Sequence, residues 1–130
     1  MATMQAQIWK SSNFTIELAP AAAPQTAVFR FTGPFTARDM FQKLTPAEMR
    51  QLLDPASSDQ HTVQVLDLTA VPYMDSAGLG LIVSHYVRCQ AKGVKLVLAG
   101  VGPKVLQLFR LTNMHQLIPM AAEVEDAVSA

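Results

Sequence analysis

The stretch Val63-Gln64-Val65-Leu66-Asp67-Leu68-Thr69-Ala70-Val71-Pro72-Tyr73-Met74-Asp75-Ser76-Ala77-Gly78-Leu79-Gly80-Leu81-Ile82-Val83 decides how this 130-residue chain folds. Val63 to Leu68 is a short apolar run rich in branched side chains and bounded by polar positions, the mark of a strand covered on both faces. Leu79, Ile82, Val83, Tyr86 and Val87 then recur at helical spacing, and Gly93 stands where a left-handed residue would close that helix. A buried strand feeding a helix implies a right-handed crossover in a parallel sheet, and in such sheets recognition or chemistry gathers where strand ends lead into helix starts. Thr69 to Gly80 is the loop of interest.

Working outward, Val94 to Ala99 reads as a second buried strand, Pro103 opens a helix through Val105, Leu106, Phe109 and Arg110 that ends near Asn113, and Glu123 to Val128 suggests a short terminal helix. Upstream, Phe14, Ile16 and Leu18 alternate with Thr15 and Glu17, and Val28, Phe29 and Phe31 suggest a partner strand after an Ala/Pro loop at Ala19 to Pro24. Thr36 with Asp39 offers a capping pair for a helix using Met40, Phe41 and Leu44. Thr45-Pro46-Ala47-Glu48 is a second start signal, giving two short helices or one kinked near Pro46, followed by a polar stretch from Asp54 to His61. The expected architecture is α/β: a mixed, mostly parallel sheet of four to five strands with about four helices, in two or three layers.

Ten basic and ten acidic side chains leave no general attraction for nucleic acid or anionic lipid, and neither partner is expected. The lone Cys89 cannot pair within the chain and suits a reducing compartment. No basic segment followed by an apolar stretch opens the chain, and no apolar run approaches 18 residues, so a cytoplasmic protein without membrane insertion is expected. One domain over 1–130, with a variable hairpin region at about 1–35, fits the size.

In the loop, Asp75 and Ser76 adjoin at the helix start. Either could simply cap it. Two caps are more than one helix needs, however, and Gly78 and Gly80 each cost about 1 kcal/mol against alanine inside a helix. An open backbone lets another molecule approach, and unpaired first-turn amides can receive an anion such as a phosphate on Ser76.

These segments together resemble the STAS domain family, in its branch of bacterial anti-sigma factor antagonists. The resemblance is strongest from Val63 to Ile118. It rests on Val65-Leu66-Asp67-Leu68, on Tyr73 to Gly80, on Leu96-Val97-Leu98-Ala99-Gly100, and on the helix Pro103 to Leu111. It implies the STAS fold and a phosphorylation-switchable module that binds an anti-sigma factor, often itself a serine kinase, and so regulates sigma-factor-dependent transcription. The phosphoacceptor of the family matches Ser76. Asp75, Ala77, Gly78, Leu79, Gly80, Ser84 and Thr36 are expected around it as partner-binding positions. The antagonist performs no catalysis and holds no cofactor or metal in this scheme, and a monomer or weak dimer is expected. Many relatives carry Gly-x-x-Asp where this chain has Gly33-Pro34-Phe35-Thr36, Ala77 stands where a second hydroxyl is common, and the region Thr36 to Pro55 is longer than usual.

Other readings compete. A regulatory subunit of a membrane transporter, such as a lipid-trafficking ABC system, would use the same fold. A hydrolase would need a trio such as Ser76, His85 and Asp67, without the Gly-x-Ser-x-Gly elbow. His61, His85 and His115 show no metal-ligand spacing and are expected at the surface or the edge of the core, while Cys89 is expected as a small buried hydrophobe. The helix face bearing Leu81, Ser84, Val87 and Arg88 is a candidate docking face beside Ser76.

Overall fold

The computed structural model describes residues 8–10, 13–19, 24–40, 45–54 and 62–129. The strands run β1 (Ile8–Lys10), β2 (Thr15–Ala19), β3 (Thr26–Thr32), β4 (Val63–Ala70), β5 (Lys95–Ala99) and β6 (Met120–Ala121). The helices are α1 (Ala37–Met40), α2 (Pro46–Leu53), α3 (Ser76–Ala91), α4 (Pro103–Leu111) and α5 (Val124–Ser129), with a 3-10 turn at Met114–Gln116. The strands lie side by side in sequence order. β1, β2 and β3 pair antiparallel, and β3, β4, β5 and β6 pair parallel. Two short edge strands, β1 and β6, thus extend the four strands legible in the sequence; pieces of three and two residues carry no periodicity to read.

Alternation along the strands divides the core. Phe31, Leu66, Leu68, Leu96 and Leu98 face one side with Met49, Leu79, Ile82, Val105 and Phe109 from the helices; Val28, Val65, Val97 and Ala99 face the other, where Ala127 of α5 packs. Phe14 stacks on Phe35 at 5.1 Å between ring centres, and Phe31 meets both rings edge-on. This aromatic knot sits directly beneath the β3–α1 turn.

Local signals hold where they are described. Thr45 Oγ1 accepts from the Glu48 amide at 3.2 Å while Glu48 Oε1 accepts from the Thr45 amide at 3.0 Å, a complete capping box. Gly93, at φ +72°, closes α3: its amide donates to Gln90 and that of Val94 to Cys89, the paired bonds of a Schellman cap. Asn113, at φ +61°, follows α4 in the same left-handed region. Phe41, Leu44, His61, the Ala/Pro loop between Ala19 and Pro24, and the polar stretch after Asp54 lie outside the described residues.

Candidate functional site

Parallel pairing brings the carboxyl ends of β3, β4 and β5 together, so α1, α3 and α4 all start at one end of the sheet. Two of the connecting loops are joined to each other. The Gly33 amide donates to Ala70 O at 3.0 Å, the Phe35 amide to Tyr73 O at 3.0 Å, and the Asp75 amide to Phe35 O at 3.3 Å. Phe35 and Met74 form a parallel bridge.

Asp75 caps α3. Its Oδ1 accepts from the amides of Ala77 and Gly78, both at 3.0 Å, and its Oδ2 accepts from the Ala37 amide at 3.1 Å. Ser76 is the first residue of the helix, exposed, and no described residue hydrogen-bonds its hydroxyl. The adjoining pair has therefore split its duties: the carboxylate serves the backbone and the hydroxyl faces solvent. One expectation is corrected here. Two of the first-turn amides that could receive a phosphate on Ser76 are already held by Asp75.

The two glycines differ. A β-carbon on Gly78 would lie 2.3 Å from Phe35 O, so this position is glycine because its own chain passes there, not because a visitor does. A β-carbon on Gly80 would meet nothing within 4 Å. Leu79 is buried in the core, Ala77 is half-buried, and Ser76, Gly80, Ser84 and Val87 form the solvent-facing stripe of α3, with Val87 58% exposed.

Thr36 is buried. Its hydroxyl donates to Asp39 Oδ2 at 2.6 Å and accepts from the Asp39 amide at 3.1 Å, while Asn13 Nδ2 donates to Asp39 Oδ1 at 3.2 Å. The Thr36 hydroxyl, then the Asn13 amide, hold the Asp39 carboxyl below the usual carboxylate range. The fourth position of the Gly33-Pro34-Phe35-Thr36 turn is thus a hydroxyl that carries the carboxylate of Asp39. Asn13, Pro34, Thr36, Arg38, Asp39 and the half-exposed Tyr73 line an open concavity at this turn. Of these, Asn13 and Arg38 were missed in the sequence, and Tyr73 was singled out there as part of the Tyr73 to Gly80 motif without a site role. The Thr36-x-x-Asp39 spacing signals the local pair, but nothing local connects Asn13 to it.

The hydrolase trio does not assemble. Ser76 and His85 are nine residues apart on one helix, about 13 Å along its axis. Asp67 faces the α5 side of the sheet, accepting from Thr69 Oγ1 at 2.6 Å and from the Thr69 amide at 3.1 Å, and lying 3.7 Å from Arg30 Nε. His85 lies on the opposite side, buried at 1% exposure instead of at the surface or core edge. Its Nε2 contacts Gln64 Oε1, and Gln64 Nε2 donates to Leu53 O at 3.1 Å. An amide oxygen can only accept, so Nε2 carries the proton and Nδ1 accepts from Arg88 Nη2 at 3.3 Å. Burial first, and the Arg88 charge second, push His85 down to about 4. Cys89 is fully buried beside the same ring, and burial raises its thiol to about 11. Among the described residues no group of three or more His, Cys, Asp or Glu could hold a metal ion, and no helix is long and apolar enough to cross a membrane.

Residues 19–127 match the family model described as the STAS domain. The chain belongs to the STAS domain family. Among curated relatives of this STAS domain, an anti-sigma-B factor antagonist of Listeria monocytogenes is 31% identical over 74 residues, covering 57% of this chain and 65% of that protein, just under two thirds of its length. In fold, the chain is similar to an anti-sigma factor antagonist from Mycobacterium paratuberculosis, with a TM-score of 0.68 at 19% identity over 89% of this chain and 92% of that one. It is also similar to a sulfate transporter family protein from Wolinella succinogenes, with a TM-score of 0.70 at 16% identity over 85% of this chain and 87% of that one.

Proposed function

We propose that this STAS domain is an anti-sigma factor antagonist that docks through the start of α3 and is released by a phosphate on Ser76. The observation that carries the reading is the Ser76 hydroxyl: it is exposed at the first residue of a helix, and its neighbour Asp75 already performs the capping a serine would otherwise supply. Ser76, Gly80 and Ser84 present the contact face, Ala77 borders it, and Gly78, Leu79 and Thr36 support it from beneath. The partner is an anti-sigma factor that is itself a serine kinase. It supplies nucleotide and metal, while this chain catalyses nothing and acts in the cytoplasm as a monomer or weak dimer.

A phosphoserine carries about 1.5 to 2 negative charges near neutral pH. At an effective dielectric of about 20, two unit charges roughly 6 Å apart interact by about 3 kcal/mol. Opposed to an acidic side chain of the partner, that is about two decades in affinity. Little of it can be absorbed by α3, because Asp75 holds the Ala77 and Gly78 amides.

Incubation with a serine-kinase anti-sigma factor and ATP should add one phosphate, at Ser76, by intact mass. Ser76→Ala should bind that partner constitutively and Ser76→Asp poorly. Modification elsewhere, or equal binding by the two variants, refutes the proposal. The fold likeness to the Wolinella transporter family protein supports a second reading, a regulatory subunit of a membrane transporter; co-isolation with a permease, with Ser76 unmodified, would favour it.

A further inference from the structure

One carboxylate joins two loops. Asp75 Oδ1 caps α3 through the Ala77 and Gly78 amides, and Oδ2 reaches across to the amide of Ala37, the first residue of α1 and 38 positions earlier in the chain. Capping alone does not require this residue type, since serine and asparagine are equally good N-caps. What the carboxylate adds is a second acceptor oxygen that carries no donor. The backbone runs the same way: the Asp75 and Phe35 amides bond across the two loops, and only a glycine at 78 leaves room for Phe35 O.

We infer that Asp75 is a positioning residue, which holds the turn bearing Thr36, Arg38 and Asp39 against the start of α3 so that a partner meets that turn and Ser76 as one preset surface. This rests on the docking reading above and assigns Asp75 a role through the turn instead of a contact of its own.

Asp75→Asn separates the two duties. Its oxygen can remain on the Ala77 and Gly78 amides, but its NH2 then faces the Ala37 N–H, donor against donor. Asp75→Ser keeps a cap and has no second arm. Hydrogen exchange at Ala37 should accelerate at least tenfold in both variants, with Ala77 and Gly78 changed less than threefold. Ala37→Pro cuts the same bond from the other side while leaving the carboxylate intact, at a helix position where proline is well tolerated.

With a purified serine-kinase anti-sigma factor and ATP as the probe, Asp75→Asn and Ala37→Pro should each raise KM about tenfold with kcat within twofold, and the double variant should do no more than either alone. Unchanged exchange at Ala37 overturns the inference. So does a KM raised by Asp75→Asn but not by Ala37→Pro, which would make Asp75 a direct contact. A wild type that accepts no phosphate at Ser76 overturns the docking reading instead, and the exchange data then still decide whether Asp75 ties the loops.

Discussion

Lowering the pH from 7 to 4.5 should destabilise this STAS domain through one side chain, His85. A free histidine titrates near 6.5, whereas burial holds His85 down at about 4. Between those values the unfolded chain binds a proton that the folded chain does not, so acid pulls the equilibrium toward unfolding. The stability is fully present above pH 6.5, is lost progressively as the pH falls toward 4, and changes little further through this group below that. Over the interval from 7 to 4.5 the loss is about 2 kcal/mol. The geometry explains the cost: a second proton would fall on Nδ1, which accepts from the Arg88 guanidinium, and it would bring a charge into a pocket shared with Gln64 and Cys89. Urea unfolding at pH 7, 5.5 and 4.5, with the slope of free energy against denaturant held constant, measures the effect directly. His85→Gln removes the titrating group and keeps an amide that can donate to Gln64, so its stability should fall by at least 1 kcal/mol less over the same range. A wild type whose stability is flat between pH 7 and 4.5, or a variant with the same slope, would show that the ring is hydrated or already charged and would refute the reasoning.

Two further outcomes follow from the packing. Gly78→Ala should cost about 1 to 3 kcal/mol because its β-carbon meets a carbonyl that cannot move alone, whereas Gly80→Ala, which meets nothing within 4 Å, should raise stability by up to about 1 kcal/mol; thermal melts of the pair check this. Cys89, buried with its thiol pushed up to about 11, should resist alkylation by iodoacetamide at pH 8 in the native protein and react once unfolded, so rapid native labelling would contradict its placement.

The order of the four longer strands and of the helices was legible because each of those elements states itself locally, as β1 and β6 do not. β4 is a branched apolar run, α3 repeats at helical spacing and ends at Gly93, and α2 carries a capping box within four residues. The Asp75-Ser76 pair was legible as a site for the same reason, both being helix-start residues. His85 was not legible as core: an imidazole can face water or a buried amide, and only the approach of Gln64 from β4 decides between them. Asn13 and Asp39 are likewise neighbours by virtue of packing, 26 positions apart.

Sequence by itself determined the α/β class and the placement of a hydroxyl and a carboxylate at the start of α3, because propensity, periodicity and capping act over a few residues; the family was legible as a resemblance carried by the motifs from Val63 to Ile118. Tertiary structure alone decided what each group does. The β3–β4 register lays the Phe35 turn beside Asp75, so the carboxylate is spent on amides from two loops, Gly78 is required by Phe35, and the Ser76 hydroxyl is left facing solvent. Side-chain alternation along β4 sends Gln64 and Asp67 to opposite faces, which gives His85 a buried partner and excludes the trio with Ser76. These are distances between segments far apart in the chain, and no local preference contains them.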